Sequence, residues 1–124
     1  MPHLNEKATE IFNDLIARLG EAHHIKLDSG RGYMPLSIEK IGKDAYALAH
    51  YGKKNGDLMA DPDMAFIVID GLVHPMTWRN DYLGLNDDCV IKVTDGVPVF
   101  KEDTQKGMAH FANTWMHNIQ AQQL

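Results

Sequence analysis

The chain has 124 residues, 44% of them apolar, with 12 basic against 17 acidic side chains and a formal net charge of −5. That size suits one domain, residues 1–124, with a core large enough to fold without a metal or disulfide staple. The acidic balance speaks against direct nucleic-acid binding, which needs clustered Lys and Arg, and favours partners with basic surfaces.

In chain order, residues 4–19 predict a helix. Leu4, Ala8, Ile11, Leu15 and Leu19 recur at three- and four-residue spacing, Phe12 and Ile16 widen the stripe, and Gly20 is its stop. His23 to Tyr33 reads as a short extended piece followed by a loop around Gly30-Arg31-Gly32. Leu36-Ser37-Ile38-Glu39 alternates as a half-buried strand does, Gly42-Lys43 suits a hairpin turn, and Ala45 to Tyr51 returns. On that returning strand Tyr46, Leu48 and His50 share one face; Ala45, Ala47, Ala49 and Tyr51 share the other.

Gly52 to Asp63 is polar and rich in turn formers, so it predicts a loop, with turns at Asn55-Gly56 and Asp61-Pro62 and with Leu58-Met59 as its anchor to the core. Met64 to Ile69 is a continuous apolar run, as expected of a central strand covered on both faces. Asp70-Gly71 turns into Val73 to Trp78, and Val90 to Thr94 with Val97 to Phe100 makes a last hairpin around Asp95-Gly96. A final helix runs from about Thr104 to Gln122, striped by Met108, Phe111, Ala112, Trp115 and Ile119 and capped by Asp103 or Thr104. Gly107 inside it costs about 1 kcal/mol against alanine. The fold class that follows is α+β: a helix, an antiparallel meander of about five strands, and a helix, with both helices packed on one sheet face.

A single cysteine, Cys89, rules out an intrachain disulfide and leans toward a reducing, cytoplasmic compartment. No apolar run approaches the ~20 residues of a membrane span. The first ten residues lack the basic-then-apolar order of a signal peptide.

Three groups of residues invite a chemical reading. Asp57, Asp61 and Asp63, with Asn55 beside them, have the oxygen ligands a hard divalent cation takes, and His50 sits just upstream as a further ligand or base. The spacing is not that of an EF-hand, and turn architecture is the plainer explanation. Trp78, Arg79, Asn80 and Asp81, with His74 upstream, form the second group. There Arg79 either pairs with Asp81 or holds an anion, and the pair is the simpler choice. Cys89 has no base at a telling spacing and reads as a buried thiol. The chain has no zinc pattern, nucleophile elbow or phosphate-binding glycine loop.

His50-Tyr51, Asn55-Gly56-Asp57-Leu58-Met59 and Asp61-Pro62-Asp63-Met64 together resemble the signature of an uncharacterised bacterial domain family, whose members occur on plasmids, phages and conjugative elements. Pro75, Asn80-Asp81, Leu83-Gly84, Phe111-Ala112, Thr114-Trp115 and Asn118 fit it too, so that the resemblance spans roughly residues 34 to 122. It departs at Gly52-Lys53-Lys54, where the family carries aromatic or glutamine residues. The resemblance implies no activity and no catalytic residue.

Taken together, these features point first to a non-enzymatic binding module with a protein partner, an accessory of mobile elements whose special case is anti-defence. A metal-dependent hydrolase built on Asp57, Asp61, Asp63 and His50 is the rival, and a homo-oligomer paired through leftover apolar faces is a third expectation.

Overall fold

The computed structural model describes residues 1–95 and 97–124, without the side chains of residues 91–94, 97 and 98. Asn5 starts the first helix, α1 (Glu6–Leu19), where its side-chain oxygen accepts the Ala8 N–H at 2.9 Å and satisfies a donor the helix start leaves unpaired. Gly20 ends it at φ 58°, returning its own N–H to the Ile16 carbonyl. The predicted stripe is the buried one: Ala8, Ile11, Phe12, Leu15 and Leu19.

Six strands follow: β1 (His24–Leu27), β2 (Leu36–Gly42), β3 (Ala45–Lys54), β4 (Asp57–Ile69), β5 (Leu72–Asn80) and β6 (Leu85–Asp88). They form one antiparallel sheet in chain order, each strand paired with the next. A separate two-stranded sheet, β7 (Val90–Thr94) with β8 (Val97–Phe100), leads into α2 (Glu102–Gln123). The architecture is the expected α+β arrangement, but the four expected strands β2 to β5 are joined in the main sheet by β1, expected only as a short extended piece, and by β6, which was not expected. The expected last hairpin pairs with itself and stays out of that sheet. Of its Asp95-Gly96 turn, Asp95 has φ 49° and Gly96 lies outside the described residues.

The largest correction concerns residues 52–63, which form most of a hairpin and not a loop. β3 runs on to Lys54, Asn55 and Gly56 make a two-residue turn with φ 53° and 85°, and β4 returns from Asp57. Positive φ at both turn residues matches the right-handed twist of the flanking strands. A two-stranded ribbon that extends into solvent needs no apolar face, so its polar composition hid it. Leu58 therefore anchors nothing and is 63% exposed. Asp61-Pro62 is no turn either. It is a cis peptide inside β4, where both residues stand opposite the single His50 of β3.

Three smaller corrections lie at the ends of elements. The β2–β3 turn falls on Lys43-Asp44, and Asp44 takes the positive φ of 55° while Gly42 stays in the ladder opposite Ala45. Met64, Ala65 and Phe66 are buried, but Ile67, Val68 and Ile69 are only partly so, because β4 outruns its cover there. Lys101 occupies the N-cap position of α2 and makes no side-chain cap bond, which leaves Asp103 and Thr104 inside the first turn.

Alternation in the strands puts Leu36, Ile38, Leu48, Met64 and Phe66 on one sheet face, each fully buried. Both helices cover that face. Phe12 of α1 meets Phe66 edge-on at 5.4 Å and Tyr46 at 6.1 Å, while Met108, Ala112, Trp115, Met116 and Ile119 of α2 complete the cluster. The opposite face carries Ala47, Ala49, Tyr51, Asp63, Ala65 and Arg79.

Candidate functional site: two clefts beside the C-terminal helix

His50 belongs to the helix-covered face of β3, and a polar ring there needs partners. It has two. The Trp115 indole N–H donates to His50 Nδ1 at 3.1 Å, and His50 Nε2 lies 3.0 Å from Gln123 Oε1. An indole nitrogen can only donate, so Nδ1 accepts and the proton resides on Nε2, which donates to Gln123. The Gln123 amide nitrogen in turn donates to the Met34 carbonyl at 3.0 Å. The relay Trp115–His50–Gln123–Met34 thus ties α2 to β3 and to the segment before β2. Both ring nitrogens are engaged, so His50 has no lone pair to spare for a base or ligand role.

Trp115, His50 and Met34 of the relay line a cleft of about 490 Å³, together with Tyr33, Asp61, Phe111 and Asn118. Asp61 accepts from the Asn80 side chain at 3.0 Å, and Asn80 Oδ1 accepts from the Leu83 N–H. A second cleft of about 370 Å³ lies on the other side of Phe111, between α2, Trp78 and Asp87. Phe111 is thereby the ridge between two clefts. It was expected in the core stripe, yet it is 38% exposed, because the helix turns that position past the edge of the sheet's cover.

The remaining candidates lie elsewhere. Asn55 and Asp57 are at the exposed tip of the β3–β4 hairpin. Asp63 pairs with Ala49 on the other sheet face, where burial raises its carboxyl above the ordinary carboxylate range against the pull of Arg79. Asp57, Asp61 and Asp63 therefore do not converge, and among the described residues no three His, Cys, Asp or Glu side chains come together to hold a metal. The bulge opposite His50 is the physical reason, since it turns Asp61 toward the cleft and Asp63 away from it.

Arg79 makes the expected pair with Asp81, a two-pronged contact at 2.7 and 3.0 Å, and Asp81 also accepts the Ala60 N–H at 2.8 Å. Those bonds hold the Asp81 carboxyl below its usual range and staple the end of β5 to β4. His74 is buried and its Nδ1 donates to the Pro2 carbonyl at 2.8 Å, with its ring stacked on Phe100. It tethers the N-terminal segment and does not line either cleft. The Cys89 thiol is buried against the Pro75 and Met76 carbonyls, and burial pushes its pKa up to about 11, so it stays a thiol.

Sequence reasoning missed Tyr33 and Gln122, which line the larger cleft, and Gln123 of the relay, and it placed Trp115 in the core stripe and the family signature without a polar partner. One signal was present: a histidine on the apolar face of a predicted strand calls for a donor or acceptor from whatever packs there, and α2 offers an indole N–H.

Burial lowers the pKa of both His50 and His74 from the ordinary 6.5, against the opposing pull of Gln123 and Asp61 on His50 and of the Pro2 carbonyl on His74. The unfolded chain therefore takes up protons that the folded chain refuses. The stability they contribute is complete above about pH 6.5 and is lost as pH falls through the lowered folded values. Urea unfolding at about pH 7.5 and about pH 5.5 should show a loss of up to about 1.4 kcal/mol per pH unit for each histidine. An unfolding midpoint that does not move over this range would refute it.

A family model described as "Domain of unknown function (DUF6908)" matches residues 9–124. No curated protein and no solved structure matches the chain significantly. The family match takes in α1 up to all but its first turn, the whole sheet and α2, hence every residue of the relay and both clefts. The chain belongs to this uncharacterised family, Domain of unknown function (DUF6908).

Proposed function

We propose that this protein is a non-enzymatic protein-binding module whose recognition face is the pair of clefts flanking Phe111. One observation carries the reading: the clefts expose aromatic surface, while His50, Trp115 and Asp61 at the larger one already have hydrogen-bond partners within the protein. Trp115 bonds His50, Gln123 bonds Met34, and Asn80 bonds Asp61. Such a face gains by burying apolar area against a partner, and aromatic anchors carry most of the energy at such surfaces. The acidic charge suits a partner with a basic surface. The resemblance supports the wider setting, a bacterial accessory role for a mobile element, with occupation of a defence protein's nucleic-acid-binding surface as its special case, and the single Cys89 supports a reducing cytoplasm.

Phe111→Ala tests the reading without touching the fully buried core. Wild-type protein used as bait in lysate of its native host should retain a reproducible partner, and the variant should bind that partner about tenfold or more weakly. Equal retention by both, or no reproducible partner, removes the reading.

A further inference from the structure

We infer that the smaller cleft, between Trp78, Met108 and Phe111 with Asp87 and Asp103 at its rim, is a pocket for an arginine side chain of the partner. The inference rests on the protein-binding reading above and adds the chemistry that one of the two clefts recognises. Trp78 and Phe111 stand edge to face, 5.7 Å apart at 71°, and present aromatic surface to a space of about 370 Å³. Asp87 reaches this side because β6 pairs it with Trp78, and Asp103 reaches it from the first turn of α2. Neither carboxylate enters an ion pair among the described residues. An apolar slot with aromatic walls and two unpaired carboxylates at its mouth is complementary to an apolar stem that ends in a cation. A guanidinium fits better than an ammonium, because it is less strongly hydrated, stacks on aromatic faces and bonds carboxylates through a planar fork.

One further feature agrees. Gly107 lines the same cleft from inside α2, and a Cβ added there would meet nothing within 4 Å. Packing does not demand a glycine at this position, and alanine would serve the helix better. What glycine preserves is open space on the cleft floor.

The test is an NMR titration of the full chain with N-acetyl-arginine-N-methylamide, the matching lysine derivative and the uncharged citrulline derivative. The arginine derivative should shift the Trp78 indole and Gly107 amide signals saturably, and the citrulline derivative should not. Asp87→Asn combined with Asp103→Asn, both at exposed positions, should weaken arginine binding about tenfold or more. Gly107→Ala should weaken it several-fold while raising the thermal midpoint, a combination that a purely structural glycine would not produce. Stronger binding of the lysine derivative, equal binding of the citrulline derivative, or undiminished binding by either variant overturns the assignment. If the titration fails while Phe111→Ala still loses the captured partner, the arginine pocket falls and the protein-binding reading stands. If the titration succeeds and no partner depends on Phe111, the pocket stands without that reading.

Discussion

Phe66→Ala should destabilise the protein by about 3–5 kcal/mol, the usual cost of truncating a fully buried aromatic residue. Phe66 has no exposed surface and sits mid-sheet on β4, with Phe12 of α1 edge-on against it. Its removal strips apolar burial from both layers and leaves a cavity that the strands on either side prevent from closing. A domain of this size has roughly 5–15 kcal/mol in all, so the variant should be near the limit of folding at ambient temperature. Urea unfolding of wild type and variant gives the difference directly. A cost under about 1 kcal/mol would mean that α1 does not pack on this face as described.

Trp115→Ala should cost a similar ~3–5 kcal/mol, but the informative change is Trp115→Phe. Phenylalanine keeps most of the buried ring and loses the indole N–H, so His50 Nδ1 is left without its donor. Stranding one buried acceptor costs about 1–3 kcal/mol. The variant should also be easier to protonate at His50, since the neutral ring has lost the bond that favoured it. The His50 pKa followed by NMR should rise relative to wild type, and the acid loss of stability should shrink in step. An unchanged His50 titration would show that the relay does not set its protonation state.

The same two residues mark how far the sequence could be read. Phe66 lies in an apolar strand run and Phe12 in a helical stripe, and both landed in the core as the periodicity requires. Trp115 was read by the same rule and was correctly placed in the core, but its bond to a histidine 65 residues away was not legible. Nothing in local spacing records which strand a helix will lie against. The polar hairpin failed for the opposite reason. Asn55-Gly56 was recognised as a turn, yet Lys53, Lys54 and Asp57 made the flanks resemble a loop, because strand patterning is visible only where one face is buried.

Composition and pattern alone determined the fold class, the two helices, which residues of β3 share a face and the turns at Asn55-Gly56 and Asp70-Gly71, since each follows from interactions within a few residues of the chain. Only the tertiary structure decided which carboxylates meet and which part. Asp57, Asp61 and Asp63 are close in sequence, but the bulge opposite His50 sends Asp61 to the cleft and leaves Asp63 on the far face of the sheet. Asp87 and Asp103, well apart in the chain and in no motif, come to the rim of one cleft because β6 and the start of α2 both border Trp78. Side-chain direction in a strand reverses with every residue, so a single bulge rearranges a cluster that sequence proximity suggests, and sheet pairing assembles one that it does not.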